Sequence, residues 1–185
     1  LWGNRNGFYY VLDRTNGKFL LGKAFAHQTW AEGLDRNGRP IKRPGSEPSP
    51  EGTLNYPSVQ GTTNWYSPSY SPKTGLFYLS IWEYASIFFK GDPTYVRGNR
   101  YIGSFPKGVY PDVRIDMDPG YGAVRALDAK TGKRKWEFKM TSVTEGGILT
   151  TAGDVLFSGN MEGHFFALDV SSGKLLWRTN LGGRV

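Results

Sequence analysis

The chain contains no cysteine, which excludes disulfides, thiolate metal sites and cysteine nucleophiles together. It has only two histidines, His27 and His164, and neither has a partner at metal-ligand spacing. No apolar run approaches the roughly 18–20 residues of a membrane-spanning helix, and no stretch near the start has the make-up of an export signal. The G-x-S-x-G, phosphate-loop and H-E-x-x-H patterns do not occur. Asp112, Asp116 and Asp118 lack the spacing of a calcium loop and read as turn residues. Spacing alone therefore names no reaction.

Charged residues make up only 21% of the 185, and the balance of 23 Lys and Arg against 16 Asp and Glu gives +7. The basic residues are scattered and many sit in turn motifs such as Thr131-Gly132-Lys133, so they read as a solvated face rather than a nucleic-acid surface. Glycine (25), proline (11) and aromatics (15%) are abundant instead. That balance predicts an all-β, turn-rich protein with ample area to bury, and it argues against disorder.

One segment recurs. Ala126-Leu127-Asp128-Ala129-Lys130-Thr131-Gly132-Lys133-Arg134-Lys135-Trp136 returns 41 residues later as Ala167-Leu168-Asp169-Val170-Ser171-Ser172-Gly173-Lys174-Leu175-Leu176-Trp177. A third copy, Val11-Leu12-Asp13-Arg14-Thr15-Asn16-Gly17-Lys18-Phe19-Leu20-Leu21, lies 156 residues before the last, and Gly3–Tyr10 matches Gly159–Phe166 upstream of it. Around the last copy, short apolar runs near 148–152, 155–158, 164–169 and 174–178 alternate with Gly, Asn and Asp turns. Four such strands make a meander, and a meander repeating every ~40–45 residues marks a β-propeller blade. The repeated Asp and Ser or Thr suit hydrogen bonds within a turn, and Gly suits its positive-φ position. The terminal Trp offers a docking face to the neighbouring blade. Leu21 replaces that Trp in the first copy, which predicts a weaker contact there.

The expected organisation is about two and a half four-stranded blades, short of a closed ring and so part of a larger propeller. Residues 1–30 read as the end of one blade, 63–138 as a second and 145–180 as a complete third. Residues 31–62, rich in Pro and Gly, read as an extended loop rather than a strand. Residues 83–121 interrupt the second blade with an aromatic insertion expected to pack down as a wall or lid.

Meander topology sorts these parts by end. The Asp-x-x-Thr-Gly-Lys turns join third to fourth strands and mark a structural end. Arg5 sits in a second-to-third turn, while Asn64-Trp65 and Thr144-Glu145-Gly146-Gly147 sit in connections between blades. All of these share the opposite end. A cation, an amide, an aromatic face and Gly-rich backbone near one mouth suit a flat, polyanionic aromatic ligand. Each has a plainer reading: a solvated Arg5, an Asn64 capping its own loop, a Trp65 packed within its blade, a surface carboxylate at Glu145.

The segment Asn4-Arg5-Asn6-Gly7-Phe8-Tyr9-Tyr10-Val11-Leu12-Asp13-Arg14 resembles one found in the quinoprotein alcohol dehydrogenases of the methanol and ethanol dehydrogenase branch. So do Gly22-Lys23 with Gln28-Thr29-Trp30, Gly33-Leu34-Asp35, Gly61-Thr62-Thr63-Asn64-Trp65-Tyr66-Ser67-Pro68-Ser69-Tyr70 and Gly122-Ala123-Val124-Arg125-Ala126-Leu127-Asp128. The resemblance implies an eight-bladed propeller with tryptophan-docking motifs, holding pyrroloquinoline quinone (PQQ) and a calcium or lanthanide ion. It implies oxidation of a small primary alcohol to an aldehyde in the bacterial periplasm, with electrons passed to a cytochrome c. In that family a metal polarises the quinone carbonyl and an aspartate takes the alcohol proton.

By position, Arg5 resembles the arginine that bonds the quinone oxygens, and Asn64 and Trp65 resemble the asparagine–tryptophan pair beside the cofactor. Gly146 resembles a glycine whose backbone approaches it. Glu145 departs from the tryptophan that many members carry. The family's catalytic aspartate, metal ligands and vicinal cysteines fall upstream of the Arg5 segment, so no catalytic residue and no metal ligand is expected within these residues. One alternative is a non-catalytic propeller similar to the outer-membrane assembly lipoprotein, which explains the repeats but not the Arg5 and Asn64-Trp65 segments. Another is a quinoprotein acting on a different substrate.

Overall fold

In the computed structural model, the described residues are 1–101, 104–107 and 120–185. They form strands without a helix. Strands β1 (Trp2–Gly3), β2 (Phe8–Leu12) and β3 (Phe19–Ala24) make a first antiparallel sheet. Strands β7 (Ser69–Ser71), β8 (Leu76–Glu83), β11 (Tyr121–Asp128) and β12 (Arg134–Met140) make a second, in the order β12-β11-β8-β7. Strands β13 (Leu149–Thr150), β14 (Val155–Gly159), β15 (His164–Asp169) and β16 (Leu175–Asn180) make a third, paired in chain order. These sheets are the propeller blades.

The repeat has one shape in all three. Register slips by a residue at Val11/Leu12, at Ala126/Leu127 and at Ala167/Leu168, so the same β-bulge recurs at the same repeat position. In each turn the Asp carboxylate accepts hydrogen bonds from the backbone N–H and hydroxyl of the following Thr or Ser: Asp13 from Thr15, Asp128 from Thr131, Asp169 from Ser172. The turn glycines stand at positive φ. These contacts hold all three aspartates below the usual carboxylate range, chiefly through the hydroxyl.

Blade stacking supplies the core. All eight residues of β8 are buried, because the strand is covered on both faces. Tyr78 and Trp136 of the second blade face Leu156, Phe166 and Leu168 of the third, whereas Phe77, Leu79 and Ile81 face Tyr9 and Phe25 of the first. Trp136 docks as its repeat position predicts. Its Nε1–H donates to Val170 O at 2.9 Å, and its ring covers Gly173, where φ is +71° and an added Cβ would fall 2.5 Å from the indole. At the first interface Leu21 is only partly buried, and the equivalent carbonyl, Ala129 O, accepts instead from the Tyr9 hydroxyl at 2.8 Å. Burial first, then the Asp128 charge, push the Tyr9 phenol up to about 12.

The interrupting segments depart from expectation. The stretch 31–62 is not strand-free: β4 (Ala31–Leu34) and β5 (Pro40–Lys42) form a hairpin, and β6 (Thr53–Asn55) pairs with β9 (Ser86–Lys90). The hairpin closes because Asp35 Oδ1 accepts from the N–H groups of Asn37 and Arg39, and Ala31 and Leu34 pack on Phe8 and Tyr10. Strand β9 also pairs with β10 (Ser104–Lys107), so the two insertions join in one small sheet. Packing of the aromatic insertion is uneven. Phe88 and Phe89 are partly buried, but Tyr95 and Tyr101 are 68% and 57% exposed and meet only edge to face. Asp112, Asp116, Asp118 and Tyr110 lie outside the described residues.

Candidate functional site

Arg5 occupies the tip of the β1–β2 turn, which Asn4 closes by accepting the Gly7 N–H on its carbonyl and the Asn6 N–H on its side chain. The segment 58–62 lies directly against this turn. Arg5 O accepts the Thr62 N–H at 2.9 Å, and the guanidinium Nη2 donates to Val59 O at 2.7 Å. Only glycine fits at position 61, where φ is +84° and a Cβ would fall 2.7 Å from that of Arg5. Arg5 is exposed, and among the described residues no carboxylate pairs with it.

From Thr62 a seam of hydrogen bonds crosses all three blades. Thr62 O accepts the Trp82 N–H at 2.6 Å, the Trp82 indole donates to Thr144 O at 2.7 Å, and the Thr144 hydroxyl donates to Gly159 O at 2.6 Å. Gly146 hangs from the same seam: its N–H donates to the Thr144 hydroxyl, and its carbonyl accepts from Ser80 at 2.8 Å. A Cβ at Gly146 would stand 3.0 Å from Gly159 O, so a side chain there would have to push the neighbouring backbone aside by a few tenths of an ångström. Thr62 and Thr144 are fully buried, and Trp82 is nearly so. The seam brings the Arg5 turn, the 58–66 segment and the 144–147 segment to one end of the blades, opposite the Asp-Thr-Gly turns.

Asn64 and Trp65 behave differently from each other. Asn64 is engaged within its own loop: Nδ2 donates to Gln60 O at 3.0 Å and Oδ1 accepts the Trp65 N–H at 2.9 Å. Trp65 is 83% exposed, with its ring centroid 4.9 Å from Tyr66, which in turn lies 5.7 Å from Trp82. An indole so exposed yet backed by buried aromatics offers an apolar face on which a flat ring can stack. Glu145 points outward as an exposed carboxylate. Beside Arg5 lies a cavity of about 460 Å³, lined by Asn4, Arg5, Asn6, Trp30, Asn55, Tyr56, Val59 and Phe88 among others. Among the described residues, no group of three or more His, Asp or Glu is arranged to hold a metal ion.

One charged cluster escaped the sequence reading. Arg125 is 2% exposed, yet its guanidinium pairs with Glu83 at 2.7 Å and with Glu137, and donates to Phe25 O at 2.6 Å. Burial opposes its charge, but Glu83 and then Glu137 outweigh burial and raise its pKa further. The signal was present in the repeat, where Arg125 stands at the position of Tyr10 and Phe166. A cation in place of an aromatic on a buried strand demands buried counter-charges.

A family model described as outer membrane protein assembly factor BamB matches residues 120–185, the run from β11 through the third blade. Similarity to alcohol dehydrogenases extends much further. The chain is 36% identical over 190 aligned positions to quinoprotein alcohol dehydrogenase PedH of Pseudomonas putida, covering 98% of this chain and 31% of that protein. It is 33% identical to the 1-butanol dehydrogenase (cytochrome c) of Thauera butanivorans, over 96% of this chain and 26% of the other. Among solved structures, the quinohemoprotein alcohol dehydrogenase of Comamonas testosteroni superposes with a TM-score of 0.86 at 29% identity, over 98% of this chain and 28% of that one. A europium-containing methanol dehydrogenase gives 0.84 at 32% identity, over 98% and 32%. The chain thus spans about a third or less of the length of these proteins. In sequence and in fold alike, these residues are similar to a β-propeller segment of the quinoprotein alcohol dehydrogenases.

Proposed function

We propose that this segment forms one side of the PQQ site in an eight-bladed, PQQ-dependent dehydrogenase that oxidises primary alcohols to aldehydes. The observation that carries the reading is the convergence of Arg5 and the 83%-exposed Trp65 on one hydrogen-bonded seam. The residues fit a flat, multiply anionic ring system. Arg5 supplies charge and directional donors, Trp65 a broad apolar face, and the Gly146 segment backbone without side-chain bulk. When bound, the quinone supplies two-electron oxidation of the alcohol.

The chain's own part is to bind and orient. Arg5 is held by Val59 O, so its guanidinium is fixed before the ligand arrives, which lowers the ordering cost of binding. Asn64 fixes the Trp65 backbone through its own amide, which makes its role one of holding the platform. The calcium or lanthanide ligands and the base that takes the alcohol proton come from parts of the protein outside these residues. A cytochrome c as electron acceptor and a periplasmic location complete the proposal. They are supported by bacterial relatives, one of which is named as cytochrome c-linked. Within it, 1–30, 63–138 and 145–180 are the blade units.

The test is made on the full-length protein, with PQQ and either Ca²⁺ or a lanthanide, by following dye reduction with ethanol and methanol alongside retained quinone absorbance. Turnover that requires both quinone and metal is expected. Quinone retained without turnover on either alcohol points to a quinoprotein for another substrate. Failure to retain quinone with either metal favours the non-catalytic scaffold, a reading that the family model matching 120–185 supports.

A further inference from the structure

We propose that Arg125, together with Glu83, is a positioning device for Arg5, acting through the segment 25–30. This segment touches both supports of the Arg5 side chain. Towards the Arg5 turn, the Phe25 N–H donates to Gly7 O at 3.0 Å and the Trp30 indole donates to Asn6 O at 3.0 Å. Towards the loop whose Val59 carbonyl receives the guanidinium, the Thr29 N–H donates to Tyr56 O and the Thr29 hydroxyl accepts the Tyr56 N–H, both at 3.0 Å. The His27 ring also lies against Tyr56, with centroids 4.6 Å apart.

What holds this segment to the second blade is the buried charge cluster. Arg125 Nη1 donates to Phe25 O at 2.6 Å, and Glu83 accepts the His27 N–H at 3.1 Å. Glu83 follows Trp82, which carries the seam to Thr62 and Thr144, so carboxylate and seam share one strand. A neutral hydrogen bond would hold Phe25 more weakly than this charge-assisted one. Tyr121 and Glu137 complete the enclosure, the Tyr121 hydroxyl accepting from Arg125 Nη2 at 3.2 Å. Arg125 reaches neither the Arg5 side chain nor the Trp65 platform in this arrangement, so it acts through backbone, not on the ligand.

The inference rests on the PQQ reading only for its second readout. The first needs no ligand: amide hydrogen exchange in the full-length protein, comparing wild type with Arg125→Lys and the milder Tyr121→Phe. About tenfold faster exchange is expected at Phe25, His27, Thr29 and Tyr56, with Ile148 and Asn160 in the third blade unchanged. Uniform acceleration across all blades, or no change at those four amides in either variant, would overturn the positioning role. The second readout is PQQ affinity of the apoprotein. Arg125→Lys is expected to weaken it about tenfold in the wild-type background and by less than about twofold beside Arg5→Ala, because the two act through one interaction. Equal losses in both backgrounds would also overturn it. If wild type binds no quinone, the PQQ reading fails while hydrogen exchange still decides the positioning role.

Discussion

Trp136→Leu gives the second blade the residue type that the first carries at Leu21, and its cost follows from the packing. The indole is 9% exposed and lies between Tyr78 and Gly173. A buried tryptophan removes about 200 Å² from water. Leucine forgoes roughly a third of that, or about 1.5–2 kcal/mol at about 25 cal/mol per Å². Losing the Nε1–H···O=C bond to Val170 adds about 1 kcal/mol. No orphan penalty is added, because Val170 O keeps the Tyr78 hydroxyl at 3.1 Å. The expected loss is therefore about 3 kcal/mol. Urea unfolding followed by far-ultraviolet circular dichroism measures it. A loss below about 1 kcal/mol would refute the docking role. The reverse change, Leu21→Trp, should not stabilise, because the Tyr9 ring already stands against Gly132, the repeat equivalent of the Gly173 that Trp136 covers.

Tyr9→Phe removes the bond to Ala129 O and should cost about 1–2 kcal/mol in the same unfolding assay. Because the folded state raises the Tyr9 pKa to about 12, its contribution is intact below the ordinary value of about 10 and is lost as pH rises from there towards 12. Melting temperatures across that window should fall less steeply for Tyr9→Phe than for wild type. Thr62→Val should leave stability unchanged or raise it by about 1 kcal/mol, since the buried Thr62 hydroxyl has no hydrogen-bond partner among the described residues; a marked loss in melting temperature would show that it does. The Thr131 hydroxyl holds the Asp128 carboxyl below its usual range, so that stabilisation is full above about pH 4 and lost as pH falls further. An Asp128→Asn variant should show a shallower acid limb in a melting profile from about pH 6 to pH 2.5.

The blades were legible because the information for them is local and repeated. Asp, Gly and Lys at fixed offsets, with a Thr or Ser two or three residues after the Asp, define each turn, and the bulge before each Asp recurs with them. Strand β8 could be read from its apolar run, Leu76 to Trp82, which only Ser80 interrupts and which is what burial on both faces requires. The sheet formed by β6, β9 and β10 could not. Its first strand is only Thr53–Asn55, and the partner Ser86–Lys90 lies beyond the whole of β7 and β8, so no local periodicity announces the pairing. Proline at five positions between 31 and 62 pointed to a loop, yet Pro40 begins β5, where a missing N–H is tolerated.

At the site, topology sufficed to bring Arg5, Asn64, Trp65 and Gly146 to one end. It did not reveal that Asn64 spends its amide on Gln60 and Trp65, because that depends on the conformation of a loop between blades. Arg125 was missed for a related reason. Its partners Glu83, Glu137 and Phe25 O come from three different strands or connections, and only its odd place among Tyr10 and Phe166 marked it.

The most direct measurement is equilibrium titration of PQQ into the full-length apoprotein and its Arg5→Ala variant, with melting curves showing that both are folded. Loss of charge-assisted hydrogen bonds to the quinone should weaken binding by about 10- to 100-fold. Equal affinity in the two proteins would contradict the role of Arg5 and the placement of the quinone at this end of the blades.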